Sequence, residues 1–497
     1  MCGIAGVIQQ PASQTVETMI KTILHRGPDG HGVMDVSNGT LGHVRLAILD
    51  VEGGHQPMVY HDTSIVFNGE IYNYRELQQK YLPDQPLQTH SDTEVLIHLY
   101  RKLGLECVHL LDGMFAFVIH HEGEFLMVRD PLGIKPLYYG SSPDGQPFCF
   151  ASELKALKGH THTIHEFPAG HWYHSKKGWC RYYNIHETIQ PFEGMETDTL
   201  PLIRSTLKDA VTKRLLSDVP VGVSLSGGLD SSIVSMLACQ GAERLHSFAV
   251  GVEGSEDLPA SRQMSKFINT QHHQFVYTET DMVKALPHVL FYLETFDPAL
   301  VRSAIPNYFL AKLVSEHVKV FLTGEGADEI YAGYEYLSGF TSPEALQGEM
   351  IEITEALHNT NLQRADRMSM AFGLEARVPF LDVKSVTLAL GFPPAWKLHN
   401  RRVPKHLLRQ AFLNELPENI VHRPKQKFSK GAGSSDVLAA RAEREIPDGE
   451  FRSESERLKK EWDYTLPNKE ALCYYKTIRE HYEDAFLFHT MGHSRSL

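Results

Sequence analysis

The first 190 or so residues alternate between short apolar runs and polar stretches rich in turn-forming residues. Three of these runs predict strands, at 64–67, 115–119 and 125–128. Residues 120–124 predict the turn of a hairpin between the last two strands. Apolar positions that recur at helical spacing predict helices at about 14–24, 74–81 and 92–104. Residues 1–190 are therefore expected to form a β-rich α+β domain.

From residue 201 onward, apolar strands alternate with helices. The predicted helices are 201–216 and 230–239, and the predicted strands are 219–225, 245–251, 272–277 and 318–323. This alternation predicts a doubly wound parallel sheet, followed beyond about residue 340 by a mainly helical part. The polar stretch 186–200 is interpreted as a linker, so the second domain is expected to cover 201–497.

Composition narrows the possible functions. A formal charge of −13 argues against a nucleic-acid partner, because phosphate binding requires a basic surface. The apolar runs are too short to cross a bilayer, and the N-terminus lacks the pattern of a signal peptide. The six cysteines form no CxxC pair, which suits a reducing compartment and argues against structural zinc. We therefore expect a cytoplasmic protein of two or three domains with neither membrane nor nucleic-acid partners.

The second residue is a cysteine, Cys2. Removal of Met1 would give Cys2 a free α-amino group, so that one residue would carry both a thiol nucleophile and a base of pKa about 7.7–8.0. A nucleophile paired with an N-terminal amine is a known catalytic arrangement. Taken alone, a cysteine at this position favours the simpler interpretation, a chance residue of a buried first strand.

The string SGGLDSS at 226–232 follows an apolar strand and begins a helix. Gly227 and Gly228 allow a tight turn whose N–H groups can face an anion, and the helix that starts near Asp230 adds the positive end of its dipole. The serines Ser226, Ser231 and Ser232 add hydroxyl donors. The lysine of a GxxxxGK[ST] loop is missing. Asp230 beside phosphates indicates an intervening Mg²⁺.

A second glycine-containing loop follows the strand at 318–323, with the sequence TGEGADE at 323–329. Ligands of open α/β sheets bind at the carboxyl edge of the strands, which is where both loops are predicted to lie. Three carboxylates fall within this loop: Glu325, Asp328 and Glu329. A solvated acidic turn is the simple interpretation, and a Mg²⁺ ligand together with a general base is the functional one.

Together these motifs resemble the glutamine-dependent asparagine synthetase family. In the first half the resemblance rests on CGI at 2–4, HRGPD at 25–29, RLAILD at 45–50, FNGEIYN at 67–73, SD at 91–92, DGMFAF at 112–117 and RDPLGIKPLYY at 129–139. In the second half it rests on the two glycine-containing loops and on LEARVPFLD at 374–382. The resemblance implies an N-terminal-nucleophile hydrolase sandwich, typical of class II glutamine amidotransferases, joined to an ATP-pyrophosphatase domain.

For the first domain, the resemblance implies that Cys2 attacks the side-chain amide of glutamine and releases ammonia. Asn68 and the Gly69 N–H would hold the oxyanion, as acyl transfer requires. Arg45 would bind the α-carboxylate of glutamine. The carboxylates of Glu70 and Asp92 would bind its α-amino group.

For the second domain, the resemblance implies activation of the aspartate β-carboxylate by ATP and amination by ammonia that arrives through an internal channel. The phosphate-binding residues would be Ser226, Gly227, Gly228, Ser231, Ser232 and Lys425, with Lys427 as the rival of Lys425. Those near the nucleoside would be Leu225, Val250, Thr323 and Gly324. Asp230 and Asp328 would bind Mg²⁺, Glu325 would be the general base, and Arg302 would bind aspartate. Related enzymes are often dimers, so a homodimer is expected.

Alternatives remain open at this point. Some family members carry a Thr-Thr-x-Arg pattern near the aspartate site, whereas residues 295–303 here keep only Arg302. The departure from this pattern leaves open an enzyme of the same fold that amidates or cyclises another carboxylate. A non-catalytic sensor of nucleotide and glutamine, and an amidotransferase acting on a sugar phosphate, are the other possibilities. The intact Cys2 disfavours the sensor, and the SGGLDSS loop disfavours the sugar-phosphate enzyme.

Overall fold

The computed structural model describes residues 2–242, 244–398, 403–424 and 435–492. The strands are β1 (Gly3–Ile8), β2 (Gly30–Val36), β3 (Gly39–Arg45), β4 (Met58–Tyr60), β5 (Thr63–Ile71), β6 (Gly113–His121), β7 (Glu124–Arg129), β8 (Tyr138–Ser141), β9 (Pro147–Ala151), β10 (Ile164–Glu166), β11 (His171–His174), β12 (Gly178–Arg181), β13 (Val221–Ser224), β14 (His246–Gly251), β15 (Gln271–Val276), β16 (Val320–Leu322) and β17 (Glu375–Arg377).

The α-helices are α1 (Ser13–Thr22), α2 (Tyr74–Tyr81), α3 (Asp92–Leu103), α4 (Ile185–Thr188), α5 (Glu196–Lys213), α6 (Leu229–Cys239), α7 (Asp257–Phe267), α8 (Glu279–Leu293), α9 (Pro298–Ser315), α10 (Ala327–Ile330), α11 (Pro343–Glu355), α12 (Asn361–Met370), α13 (Val383–Gly391), α14 (Pro394–Lys397), α15 (His406–Ala411), α16 (Glu418–Val421), α17 (Ser435–Glu445), α18 (Asp448–Trp462), α19 (Lys469–Ile478) and α20 (Asp484–Thr490). Single 3₁₀ turns lie at Leu24–Arg26, Gly104–Leu110, Leu154–Ala156, Glu335–Gly339, Ala356–Asn359 and Pro379–Leu381.

Two antiparallel sheets form the N-terminal half. Their strand orders are β10-β8-β9-β1-β3-β2 and β12-β11-β7-β6-β5-β4. Apolar side chains from both sheets, including Ile4, Leu41, Val66 and Val118, form one buried layer between them. Helix α1 covers the outer face of the first sheet, and α2 and α3 cover that of the second. This confirms the predicted α+β sandwich.

The hairpin predicted at 120–124 joins β6 to β7 through Glu122 and Gly123. Their φ angles of 49° and 78° are both positive, as the tightest hairpin turns require. The predicted helices of this half are also confirmed as α1, α2 and α3, with ends that differ from the expectation by two residues or fewer.

A five-stranded parallel sheet of order β15-β14-β13-β16-β17 organises the C-terminal half. One face, with Phe248 and Phe321, packs against α8 and α9, and the other, with Val223 and Leu322, packs against α5 and α6. Helices on both faces confirm the doubly wound sheet. Because β13 and β16 are neighbours, the loops that follow them meet at one edge of the sheet.

One local expectation was wrong, and one strand was not predicted. The stretch 186–200 is not a simple linker, because it contains most of α4 and the start of α5. Helix α5 begins early because Asp198 Oδ2 accepts a hydrogen bond of 2.9 Å from the Met195 N–H and so caps the first turn. Strand β17 was not predicted because Glu375 and Arg377 interrupt any apolar run; both are buried and paired with each other.

The two halves make direct contact. A small apolar cluster joins Leu46 and Ile48 to Val320 and Met370. Beside it, the Arg26 guanidinium donates two hydrogen bonds, of 2.8 and 3.2 Å, to Asp366 of α12. Over the described ranges, each helix is either too short or too polar to cross a lipid bilayer.

Candidate functional site

Cys2 lies directly before β1 and is 8% exposed. Its Sγ lies 3.9 Å from the Leu46 carbonyl oxygen, and its own carbonyl oxygen accepts a hydrogen bond of 3.0 Å from Arg26 Nε. Burial raises the pKa of the Cys2 thiol, and the positive charge of Arg45 opposes this shift. The thiol therefore needs a nearby base to become a nucleophile.

Asn68 of β5 faces Cys2 across the sandwich. Its Oδ1 accepts a hydrogen bond of 3.1 Å from the Cys2 N–H. Its Nδ2 is buried and has no hydrogen-bond partner among the described residues. A buried donor without a partner is costly unless a ligand supplies the acceptor. At Gly69 a Cβ atom would come within 2.1 Å of the Met114 carbonyl oxygen, so the strand tolerates only glycine there.

The three charged residues assigned to glutamine surround this centre. The Arg45 guanidinium donates hydrogen bonds of 2.8 and 2.5 Å to the carbonyl oxygens of Val51 and Asp50, which fix its orientation. Asp92 is the first residue of α3 and accepts a hydrogen bond of 2.9 Å from the Ile71 N–H. Burial is the main reason that the pKa of Asp92 is raised to about 6.

Glu70 connects this centre to the second half of the chain. Its Oε1 lies 3.4 Å from Nη2 of Arg377 in β17. Burial and the negative charge of Glu375 raise the pKa of Glu70 well above its usual value, and Arg377 opposes the shift. The carboxylate of Glu375 remains ionised despite its burial because Arg377 lowers its pKa.

The second candidate site is a cavity of about 240 Å³ at the carboxyl edge of the parallel sheet. The turn at 226–232 and the loop at 323–329 touch there, since a Cβ at Gly324 would lie 2.9 Å from the Asp230 Cβ. The predicted residues that line this cavity are Leu225, Ser226, Gly228, Asp230, Ser231, Val250, Arg302, Thr323, Gly324, Glu325 and Asp328.

Hydrogen bonds within the turn fix its shape. Ser226 Oγ lies 3.1 Å from Ser231 Oγ and accepts a hydrogen bond of 3.2 Å from the Gly228 N–H. Gly227 has φ of 74° and lies against Ala260, where a Cβ atom would be 2.5 Å from the carbonyl carbon. Ser232 belongs to the same turn but is fully buried. The turn thus combines a left-handed glycine, which a side chain could not replace, with a cluster of hydroxyl groups at the start of α6.

Lys405 joins the two carboxylates that the sequence assigns to Mg²⁺. Its Nζ lies 2.5 Å from Asp230 Oδ2 and 2.6 Å from Asp328 Oδ1, and the residue is 2% exposed. Because one ammonium group reaches both carboxylates, their oxygens lie close enough to share a cation. Carboxylate oxygens are the ligands that Mg²⁺ prefers, so this pair fits the ion.

Two further carboxylates of the cavity region are paired with arginines. Glu325 accepts a hydrogen bond from Arg364 of α12. Arg302 of α9 donates from Nε to both oxygens of Glu470, at 2.9 and 3.0 Å. Arg302 therefore already has a carboxylate partner from α19, and a substrate carboxylate would have to share it.

Sequence reasoning did not identify several charged residues of the two sites. They are Lys405, Arg364, Glu375, Arg377, Arg423 and Glu470. Arg423 donates to the Ser226 carbonyl oxygen at 3.2 Å and to Asp257 at 2.8 Å. Glu375 and Arg377 lie in the LEARVPFLD motif, which marked the segment without giving either residue a role. The other four reach their sites through tertiary contacts and lie in none of the motifs quoted for the resemblance. Lys425 and Lys427 lie outside the described residues.

Comparisons with known proteins agree with this two-site arrangement. The glutamine amidotransferase domain profile matches residues 1–188, and the asparagine synthase profile matches 202–344 and 339–489. The chain is 36% identical over 526 residues to a probable glutamine-hydrolysing asparagine synthetase of Dictyostelium discoideum, with 97% of this chain and 94% of the relative covered. It is 38% identical over 512 residues to asparagine synthetase 2 of Lotus japonicus, with coverage of 97% and 86%.

A probable asparagine synthetase of Schizosaccharomyces pombe gives 38% identity over 525 residues, with 97% of this chain and 93% of the relative covered. Among solved structures, a glutamine phosphoribosylpyrophosphate amidotransferase of B. subtilis has a TM-score of 0.32 and 21% identity, covering 49% of this chain and 65% of that one. That score is too low to support an argument. The profile matches and the near-full-length relatives show that the chain belongs to the asparagine synthase family.

Proposed function

We propose that the chain makes asparagine from aspartate, with glutamine as the nitrogen donor and ATP as the source of energy. One observation carries this proposal: a single chain holds both candidate sites. Cys2, with Asn68 hydrogen-bonded to it, lies in the N-terminal half, and the cavity lined by the SGGLDSS turn lies in the C-terminal half. The curated relatives named above are asparagine synthetases. Their names do not favour an enzyme that acts on another carboxylate.

In the first reaction, Cys2 Sγ attacks the amide carbon of glutamine. The α-amino group of Cys2, once Met1 is removed, takes the thiol proton and returns it to the departing ammonia. The oxyanion accepts hydrogen bonds from Asn68 Nδ2 and from the Gly69 N–H. Water then hydrolyses the thioester and releases glutamate. The missing hydrogen-bond partner of Asn68 Nδ2 supports this role.

The charges around Cys2 would select glutamine. The Arg45 guanidinium is planar and held by two main-chain carbonyl oxygens, which suits a two-point contact with the α-carboxylate. Glu70 and Asp92 would receive the α-ammonium group. A cationic ligand would favour the ionised forms of these buried carboxyls, whose pKa values are raised in the free protein.

In the second reaction, the β-carboxylate of aspartate attacks the α-phosphorus of ATP, and pyrophosphate leaves. Donors at 226–232 would hold the phosphates, while Leu225, Val250, Thr323 and Gly324 would contact the nucleoside. Mg²⁺ bound by Asp230 and Asp328 would supply positive charge for the leaving pyrophosphate. Glu325 would take the proton from ammonia as it attacks the acyl adenylate and displaces AMP.

The remaining residue assignments rest on other arguments. Arg302 is proposed to bind aspartate, although Glu470 competes for its guanidinium. Lys425, with Lys427 as the alternative, is proposed to contact phosphate on the basis of family resemblance alone. Gly227 and Ser232 would act by shaping the turn, since their side-chain positions do not line the cavity.

Ammonia would pass between the sites through the interface of the two halves. The apolar cluster contains Leu46, Ile48, Val320 and Met370. The carbonyl oxygen of Leu46 lies 3.9 Å from Cys2 Sγ, and Val320 begins the strand that leads to Thr323. An apolar path keeps ammonia unprotonated and therefore nucleophilic.

We also propose a glutaminase domain at 1–190, a synthetase domain at 201–497, a cytoplasmic location and a homodimer. The cysteines of the sequence form no disulfide framework, which supports the location. The dimer rests on family resemblance, and light scattering of the purified chain would test it.

The deciding experiment measures AMP and asparagine formed from Mg-ATP and glutamine, with and without L-aspartate. Matching aspartate-dependent AMP and asparagine would establish the activity, whereas glutamate without aspartate-dependent AMP would point to another acceptor. Cys2→Ala should abolish synthesis with glutamine and spare synthesis with ammonia, and Cys180→Ala should change neither. Asp230→Ala should spare glutamate release and abolish AMP. Parallel loss of both activities in folded variants would contradict separate sites.

A further inference from the structure

Three histidines meet at the edge of the parallel sheet opposite the cavity. His246 is the first residue of β14, His273 is the third of β15, and His317 follows α9 shortly before β16 begins. The amino ends of parallel strands lie on one edge, and the cavity loops follow the carboxyl ends of β13 and β16. The three rings therefore lie toward the opposite edge of the sheet from the two cavity loops, and Phe248, which stacks on His273, separates them from the cavity that it lines.

The ring nitrogens are close together. His246 Nδ1 lies 3.0 Å from His273 Nε2, and the ring centroids of His273 and His317 are 3.9 Å apart. One nitrogen from each ring can be chosen so that all three lie within 4.8 Å of one another. With Zn–N bonds of about 2.0–2.1 Å, tetrahedral ligands are separated by about 3.3 Å. The rings are stacked, with 11° between the planes of His246 and His273 and 30° between those of His273 and His317, so side-chain rotations that turn the rings apart would bring the three nitrogens onto one ion.

The surroundings suit imidazole as a metal ligand. Burial lowers the pKa of His246 and of His273, and the neighbouring His317 lowers each further, so both are neutral near pH 7 and keep a lone pair for a metal. Phe248 stacks against His273 at 5.2 Å and supplies an apolar base to the cluster. His317 is exposed, which leaves an entry path from solvent.

We propose that His246, His273 and His317 form a binding site for a divalent transition metal ion of the zinc class, with water as the remaining ligand. Imidazole suits zinc, copper and nickel, whereas Mg²⁺ prefers oxygen, so this site would not compete for the ion of the cavity. A second group of potential ligands, Asp62, His121 and Glu122, differs because Arg101 already pairs with Asp62.

The bound ion would join β14, β15 and the segment after α9, and two of these parts of the chain, β14 and α9, also line the nucleotide cavity. Strand β14 continues from His246 to Val250, and α9 carries Arg302 before the chain reaches His317. The unfolded chain does not hold these three rings together, so an ion bound here stabilises the folded state.

The test uses the full-length protein, stripped with a chelator and titrated with Co²⁺ by visible absorption, followed by displacement with Zn²⁺. His317→Gln removes an exposed ligand without disturbing the core, and His273→Gln removes a second. His272→Gln is the matched control, because His272 lies one residue away and contacts Ser247 instead. We expect about one equivalent of tetrahedral Co²⁺ in the wild type and control, with affinity weakened about tenfold or more in both ligand variants.

Thermal unfolding gives an independent readout. Zn²⁺ should raise the midpoint of the wild type and of His272→Gln, and should raise that of His317→Gln and of His273→Gln by clearly less. Equal Co²⁺ affinity in all four proteins, or an equal Zn²⁺ effect on their midpoints, would show that binding occurs elsewhere and would overturn the proposal.

Discussion

Arg377 Nη2 lies 3.4 Å from Glu70 Oε1, so a residue of the parallel sheet contacts the centre that contains Cys2. Arg377 also pairs with Glu375 and donates hydrogen bonds of 2.6 Å to the carbonyl oxygens of Arg214 and Leu216. The fully buried Arg377 guanidinium thus pairs with two carboxylates, and its hydrogen bonds hold in place the segment that precedes β13. The glutamine centre is completed by the second half of the protein.

Arg377→Met should therefore lower the free energy of unfolding by about 3–5 kcal/mol, because it leaves two buried carboxylates without this cation. Urea unfolding followed by circular dichroism measures the change. Arg441→Met is the matched control, because Arg441 makes only a surface pair with Glu445 and should contribute less than about 1 kcal/mol. A loss no larger than that of the control would contradict the buried network.

Asn68→Ala should reduce kcat for glutamate release by about 10²–10³, the usual cost of removing one oxyanion donor. Synthesis with ammonia should remain, because the second site keeps its residues. Asn73→Ala is the control: Asn73 bonds to the main chain at Leu110 and Asp112 and should affect stability more than turnover. An unchanged kcat in Asn68→Ala would exclude Asn68 from the oxyanion site.

Glutamine binding should weaken at acid pH through Asp92. Its pKa of about 6 means that the carboxyl becomes neutral below that pH and loses its attraction for the α-ammonium group. KM for glutamine should rise about tenfold per pH unit below 6 and reach a plateau above 7. Asp92→Asn should raise KM at every pH and abolish this dependence, and a variant that kept the wild-type profile would assign the titration elsewhere.

The same shift has a defined sign for stability. The ordinary pKa of 3.8 lies below the folded value of about 6, so the folded protein binds this proton more tightly than the unfolded chain. The contribution of Asp92 to stability is therefore greatest below pH 3.8 and falls as the pH rises to about 6. Unfolding free energies of wild type and Asp92→Asn across this range measure the effect.

The elements that sequence predicted best are those with strong local patterns. Strands β6 and β7 and the glycine turn after β13 are each recognisable from a few consecutive residues, and all three are present in the structure. Strand β17 was missed because its burial depends on a charge pair and not on apolar side chains. The periodicity of apolar residues indicates which side chains are buried by hydrophobic packing. It gives no signal for charged residues that are buried because they pair with each other.

The candidate sites follow the same rule. Asp230 and Glu325 occur in short motifs, whereas Lys405 and Arg364, which pair with them, do not. Lys405 is separated from Asp230 by 175 positions and reaches it only because the parallel sheet and α15 are packed together. Long-range charge compensation is a property of the folded chain, so sequence identified the acidic groups without their basic partners.

Lys405→Met tests the idea that its ammonium occupies the position of a divalent cation. Without Lys405, the carboxylates of Asp230 and Asp328 repel each other in a partly buried cavity, so the free energy of unfolding should fall by about 3 kcal/mol in the absence of Mg²⁺. Mg²⁺ without nucleotide should then restore stability, and this effect should exceed that in the wild type, where the lysine competes for the same oxygens.

The matched control is Lys213→Met. Lys213 also bridges two carboxylates, Asp112 and Asp382, but Asp382 keeps a second cationic partner at 2.9 Å in Arg214. Mg²⁺ should therefore leave the stability of that variant unchanged. Thermal unfolding with a Mg²⁺ titration distinguishes the cases. Lys405→Met removes the ammonium group that competes with Mg²⁺ for the oxygens of Asp230 and Asp328. If Mg²⁺ nevertheless stabilised Lys405→Met no more than it stabilised the wild type and Lys213→Met, these two carboxylates would not form the Mg²⁺ site.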